Sequence, residues 1–359
     1  MSDLRKRFSV NTHLFGRSFK FIVFFALIFT LVTCSSPSGS DNETGPFLVT
    51  NATELSYVGK GTANPDPYKD WTLDAHYKVV SDIDMSGVAN FVPISPWISD
   101  DHPHFTGIFD GNGKTISNLT VNASGDAGLF GYVGPTCEIK NIKMTNVDIT
   151  STWNAGAVGG GRGKFLNCVV IGGTIKSIGD GGKSGAVGGV FGWNDLGIVQ
   201  NCYSSNLTIT NVSGAAGGIV GSSGTSSTIK DCYVSSTVSV AGADMVGGIV
   251  GTNWGVSSSV KNCVALNTSL SGGTIGRVVG DNDPPATLSG NYGRSDMTGG
   301  TWINKGEDSN DGTDVTTTES ETETWWKSTG ILDWTWGNSE SAPWVWNSSA
   351  NLPKLWFED

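Results

Sequence analysis

From residue 128 onward the apolar positions fall in short glycine-framed groups rather than in long stripes. The frames read Gly128-Leu129-Phe130-Gly131, Gly156-Ala157-Val158-Gly159, Gly189-Val190-Phe191-Gly192, Gly218-Ile219-Val220-Gly221, Gly248-Ile249-Val250-Gly251 and a degenerate Arg277-Val278-Val279-Gly280. Their closing glycines are 28, 33, 29, 30 and 29 residues apart. A second motif follows each of the first five frames on the same period: Ile139-Lys140-Asn141-Ile142, Phe165-Leu166-Asn167-Cys168, Val199-Gln200-Asn201-Cys202, Ile229-Lys230-Asp231-Cys232 and Val260-Lys261-Asn262-Cys263. Two features that keep one period mark a repeat architecture. Between the motifs, stretches such as 207–210 and 234–240 alternate apolar with polar residues, as half-buried strands do. Helical repeats are excluded, because glycine pairs punctuate every unit and no 3.6-residue stripe survives.

The second motif predicts a corner. Its two apolar side chains stand three apart, which breaks strand alternation unless the chain bends between them. Asn and Asp are the non-glycine residues that best tolerate the left-handed conformation of such a bend. Coils of about 30 residues, stacked about 4.8 Å apart, make an all-β chain: a parallel β-solenoid (right-handed β-helix) in which equivalent residues form ladders. Gly131, Gly159, Gly192, Gly221 and Gly251 are its structural glycines, and Cys168, Cys202, Cys232 and Cys263 are expected to stack. Such a row behaves as small buried hydrophobes, or as neighbouring disulfides in an exported protein. It does not predict a metal site: no CxxC pair exists and no histidine follows His104.

The whole pattern resembles the GLUG-motif family of bacterial surface and adhesin-like proteins, named for the glycine-framed tetrapeptide. The resemblance extends upstream through Tyr77-Lys78-Val79-Val80-Ser81-Asp82-Ile83-Asp84-Met85 and residues 105–119. Downstream it takes in Trp334-Thr335-Trp336-Gly337, Trp344-Val345-Trp346 and Leu352-Pro353-Lys354-Leu355-Trp356. It implies a surface scaffold and assigns no catalytic residue.

The amino terminus carries Arg5, Lys6, Arg7, Arg17 and Lys20 ahead of an apolar run over 21–32, the order of an export signal. The run falls short of the roughly 20 residues that span a bilayer. It ends at Leu31-Val32-Thr33-Cys34, similar to a bacterial lipobox, so 1–33 reads as a lipoprotein signal peptide, Cys34 as the lipidated residue and 34–46 as a flexible tether. Residues 47–125 read as amino-terminal coils, with Phe109-Asp110-Gly111-Asn112-Gly113 as a tight turn between two strands, and 126–303 as the repeat solenoid. Residues 304–324, rich in Asp and Glu, read as an exposed, disordered acidic insert. Its Asp308-Ser309-Asn310-Asp311-Gly312 run departs from the EF-hand spacing for calcium. Residues 325–359 hold seven of the 13 tryptophans and read as a cap closing the open end of the stack, with a sugar-stacking platform as the alternative.

The 359 residues include 50 glycines, 33 acidic and 22 basic side chains, net −11. Five of those bases and one of the acids lie in 1–33, which leaves 17 basic against 32 acidic groups, net −15, in the mature chain. Nucleic acid is therefore a poor partner, and the lipid at Cys34 is the expected link to a membrane. Glycoside hydrolysis needs two carboxylates about 5 to 9 Å apart. Asp148, Asp180, Asp195, Asp231 and Asp244 are instead spread over different coils and repeat positions. No G-x-S-x-G, H-E-x-x-H or phosphate loop is present, and no cofactor is implied. The expectation is a non-enzymatic, exported, surface-anchored scaffold that binds a glycan or a host matrix protein. A polysaccharide-active enzyme and a structural surface-layer protein are the alternatives. Trp193 and Trp254, each just after a glycine frame and beside Asn194 and Asn253, are the candidate ligand contacts.

Overall fold

The computed structural model describes residues 45–358 apart from 98, 100, 101, 180–184, 243 and 329. The expected signal peptide 1–33, the lipidation residue Cys34, the tether up to residue 44 and the carboxylate of Asp180 lie outside the described residues.

The chain winds into a parallel β-solenoid of about eight coils. One ladder runs through most of the stack: Tyr77 pairs with Phe109, Phe109 with Ile139, Ile139 with Phe165, and on through Val199, Ile229, Val260 and Leu288. These side chains all point inward and fill one continuous core. The helix Ala52–Tyr57, capped by the Asn51 side chain on the Glu54 amide, adds Leu55 to that core beside the first strand, Phe47–Val49.

The corners form as the motif requires. Asn141, Asn167, Asn201, Asp231 and Asn262 all have φ between 53° and 58°. Their side chains also bond from coil to coil: Asn141 Nδ2 donates to Asp110 (3.0 Å), Asn167 to Asn141 (3.0 Å), Asn201 to Asn167 (3.1 Å) and Asn262 to Asp231 (3.3 Å). One residue type thus supplies both the bend and an amide ladder that satisfies its polar atoms. Beside it Cys168, Cys202, Cys232 and Cys263 are fully buried free thiols, stacked as core residues. Burial is the largest cause that raises the Cys232 thiol, and it pushes Cys137 up to about 12. Asn291 takes the next rung, where its Oδ1 accepts the Cys263 amide (3.0 Å).

Two expectations about the carboxyl-terminal region change. Residues 304–324 are not a disordered insert. Thr313–Val315 pairs in parallel with Tyr292–Arg294, and Asp311 is buried. The cause is Arg277, which stands where the other frames carry glycine. Its guanidinium is fully buried and donates to the carbonyls of Gly293 (3.1 Å), Arg294 (3.1 Å) and Gly312 (2.9 Å) and to Asp314 (2.6 Å).

The tryptophan-rich segment covers a flank of the stack rather than its end. The residue after each corner cysteine points outward, which builds a second apolar ladder of Val169, Tyr203, Tyr233, Val264 and Tyr292. Trp325, Trp326, Trp334 and Trp344 bury themselves against it in a cluster separate from the main core. Polar ties pin the segment across several coils: Trp334 Nε1 donates to the Asn262 carbonyl (2.9 Å), Tyr233 Oη to the Pro353 carbonyl (2.6 Å) and Tyr203 Oη to Glu358 (2.7 Å). Much farther down the stack Lys140 pairs with Glu340 at 2.9 Å.

Candidate ligand-binding groove

From Gly185 onward a four-stranded sheet meets a six-stranded sheet at the glycine frame, and isolated bridges between Ala127 and Ala155 and between Ala155 and Val187 continue the line of the first into the two preceding coils. There the coil creases inward, and the outer surfaces of the two strands come into backbone contact. A Cβ on Gly221 would lie 2.4 Å from the Val187 nitrogen, and one on Gly251 would lie 2.6 Å from the Ala216 nitrogen. Gly192 likewise faces the Ala155 backbone at 2.9 Å, while a Cβ on Gly131 or Gly159 would meet the backbone of the neighbouring coil. The glycines of the motif are therefore what allows the crease to close.

Beyond the crease the two sheets diverge and leave a cavity of about 290 Å³. One wall is the outward ladder Asp126, Asn154, Ala186, Ala215 and Met245, one residue per coil. The other is Tyr132, Gly160, Trp193, Ser222 and Thr252, again one per coil. Five rungs at about 4.8 Å spacing make a groove about 20 Å long, parallel to the solenoid axis. Small residues in its middle keep it open. Trp97 and Trp153, edge to face at 5.2 Å, stand at one end, and Trp254 at the other.

The sequence singled out four contacts, and the structure divides them. Trp193 and Trp254 both line the groove, although they are not equivalent positions. Trp193 projects from Phe191–Asn194, whereas Trp254 follows Val250–Asn253 and turns back, its Nε1 donating to Ser222 Oγ at 3.3 Å. Asn194 and Asn253 are not contact residues, and this corrects the expectation. Alternation sends them to the opposite side of the strand. Both are fully buried, with Asn194 Nδ2 on the Gly197 carbonyl (3.3 Å) and Asn253 Nδ2 on Asn282 (2.7 Å).

Asp126, Asn154, Tyr132, Trp97 and Trp153 escaped the sequence reading. Asp126 and Asn154 each stand two residues before a frame's first glycine, a recurrence that could have exposed them. Asn154 Nδ2 donates to Asp126 (2.8 Å), and its Oδ1 accepts the Ala186 amide (2.9 Å). Burial pushes the Asp126 carboxyl up to about 7, against the smaller opposing effect of Asn154. Asp126 is the only carboxylate among the described lining residues, and Tyr132 is the other titratable one. Asp231 sits in the corner ladder instead, taking amides from Gln200 (3.0 Å) and Asn262 (3.3 Å). Among the described residues no three His, Cys, Asp or Glu side chains gather as a metal site, and no helix is long and apolar enough to cross a membrane.

No protein-family model matches the chain. Halomucin of Haloquadratum walsbyi is 31% identical over 159 residues, which are 42% of this chain but only 2% of that much longer protein. A solved structure from Bacteroides ovatus, provisionally described as an immunoglobulin A1 protease, superposes with a TM-score of 0.62 over 89% of this chain and 94% of its own. At 20% identity that likeness shows a shared solenoid fold.

Proposed function

We propose that this chain is a cell-surface binding module of the GLUG-repeat type, tethered by lipid at Cys34, that holds an extended ligand along its axial groove. The groove carries the reading: three tryptophans and a tyrosine from four coils, joined by Trp254, converge on one elongated cavity. A solvent-facing row with no role would be free to be polar, whereas indoles at a lined concavity suit stacking on a ligand's flat apolar faces. The basic-then-apolar order of residues 5–32 and the lipobox-like Leu31-Val32-Thr33-Cys34 support a location outside the cell, in an outer membrane or on the cell surface. Glycosidase chemistry is disfavoured because the described lining offers Asp126 alone where two carboxylates about 5 to 9 Å apart are needed. The test is binding of the lipidated protein, in detergent, to a combined array of glycans and extracellular-matrix proteins. The reading expects a saturable hit weakened by Trp193→Ala and by Trp254→Ala. A hit indifferent to both variants, or none, would refute it.

A further inference from the structure

Resting on that reading, we propose that the groove selects a linear, uncharged polysaccharide, with Asp126 as the specificity-determining residue that contacts its hydroxyls and rejects acidic sugars. Four observations carry this. First, the groove's length of about 20 Å spans several rings, and its ladder construction repeats one rung per coil at about 4.8 Å. A repetitive wall of this kind suits a repetitive chain.

Second, the walls offer ring faces and side-chain polar groups, but no backbone. The strands on both sides have their edges covered: Gly214–Gly217 and Met245–Gly247 are internal to their sheet, Phe191–Asn194 pairs on both edges, and the outer side of the edge strand Gly185–Gly188 is met by the Ala155 backbone and by Asn154 Oδ1, which accepts the Ala186 amide (2.9 Å). Their amides and carbonyls are taken by the parallel ladders and by side chains, as where Asn154 Oδ1 accepts the Ala186 amide and Asp244 accepts the Gly214 amide. A peptide adding as a strand would find no free edge, so the usual way of binding an extended peptide to a sheet is closed. Sugars stack on indoles and satisfy their hydroxyls with side chains, and the groove supplies Ser222, Thr252, Asn154 and Asp126 for that purpose.

Third, Asp126 is the sole charged group among the described lining residues, and the mature chain around it carries net −15. A uronate or sulfated sugar would bring like charge into a partly desolvated cavity, which is strongly unfavourable. An uncharged sugar's hydroxyls can instead donate to the carboxylate. A carboxylate has about four acceptor sites, and Asp126 accepts from the Asn154 side chain and backbone amide.

Fourth, Asp126 is held for a purpose other than stability. A nearly buried carboxyl with no cationic partner among the described residues destabilises the fold when ionised, and the isosteric Asn stands at the equivalent position, 154, one coil on. A structural role would be filled better by Asn at both rungs.

The experiment is calorimetric titration of the detergent-solubilised protein with neutral hexasaccharides of β-1,4-glucan, β-1,3-glucan and β-1,4-mannan, with galacturonate and guluronate hexamers, and with a collagen triple-helical peptide. The expected result is saturable binding of at least one neutral hexamer, no binding of either uronate, and a loss of about tenfold or more on Trp193→Ala. Asp126→Asn should lower affinity for the neutral hexamer and narrow its margin over the uronates. Trp254→Ala, at a residue 39% exposed, provides a groove variant that leaves the core untouched should Asp126→Asn fold poorly. Preference of the wild type for a uronate, or an unchanged neutral-to-uronate ratio in a folded Asp126→Asn, overturns the proposal. Trp193-dependent binding of collagen peptide without any sugar also overturns it while leaving the binding-module reading intact. Silence on every probe, together with silence on the array, defeats both.

Discussion

Replacing Arg277 by Met should detach the last coil and leave the rest of the solenoid standing. The guanidinium is fully buried and makes four bonds: three to the carbonyls of Gly293, Arg294 and Gly312, and one to Asp314. Asp314 is 44% exposed and is also held by Lys305 at 2.9 Å, so the ion pair itself contributes little. Arg277 Nε has no partner, a further deduction. What remains is the loss of charge-assisted bonds to backbone acceptors, at least two of them buried, which together should destabilise the coil by about 3 to 5 kcal/mol. In a one-dimensional stack each coil is stabilised by its neighbours, so the effect is local. In hydrogen exchange, the amides of Thr313–Val315 and Tyr292–Arg294 should therefore lose protection by about 100- to 5000-fold, while those of Lys164–Ser177 keep theirs. Arg277→Lys, which keeps the charge but not the planar fork, should fall in between. Unchanged protection at 313–315, or an equal loss in every coil, would refute the reasoning.

Three further predictions concern the crease, the groove and the thiols. Gly221→Ala places a Cβ 2.4 Å from the Val187 nitrogen and should lower stability by about 2 to 3 kcal/mol in urea melts, while Gly87→Ala, with open space around it, should stay within about 0.5 kcal/mol. Because the Asp126 carboxyl is raised to about 7 in the folded state, its contribution is fully present below its unfolded value near 4 and is lost as pH rises through 7. Asp126→Asn should thus gain about 2 to 4 kcal/mol over wild type at pH 8 and little at pH 4, with Tyr132 the only other titratable group in the described lining; parallel stability curves for the two proteins would count against the buried carboxyl. The buried thiols of Cys137, Cys168, Cys202, Cys232 and Cys263 should resist iodoacetamide until the chain unfolds, as followed by mass spectrometry; rapid native labelling would show that the ladder is open.

The solenoid was legible because its determinants are local and repeated. The Asn corner announces its own backbone conformation, and the period of the frames sets the stacking. The groove was half legible for a related reason. Trp193 and Tyr132 each directly follow the closing glycine of a frame, a recurrence the sequence shows, whereas Trp97 and Trp153 carry no such mark and only the register of the coils brings them to the cavity. Asn194 and Asn253 stand next to a tryptophan in sequence, but strand alternation turns neighbours to opposite faces, so adjacency does not carry them into the groove. The outward ladder at Tyr203 and Tyr233 carried a signal that was passed over: an apolar residue directly after a buried cysteine must be covered by something. Seven tryptophans in the last 35 residues were waiting to cover it. Arg277 was counted as a defect in the repeat. In the fold it is the tie that makes the acidic segment 304–315 the final rung.

The central claim, that the axial groove is the binding site, is tested most directly by a crystal structure of the protein with the best ligand from the array. The account predicts density along the walls from Asp126 and Tyr132 to Met245 and Thr252, with rings against Trp193 and Trp254. Density instead on the carboxyl-terminal flank, between Trp336, Trp346 and Trp356, would contradict it.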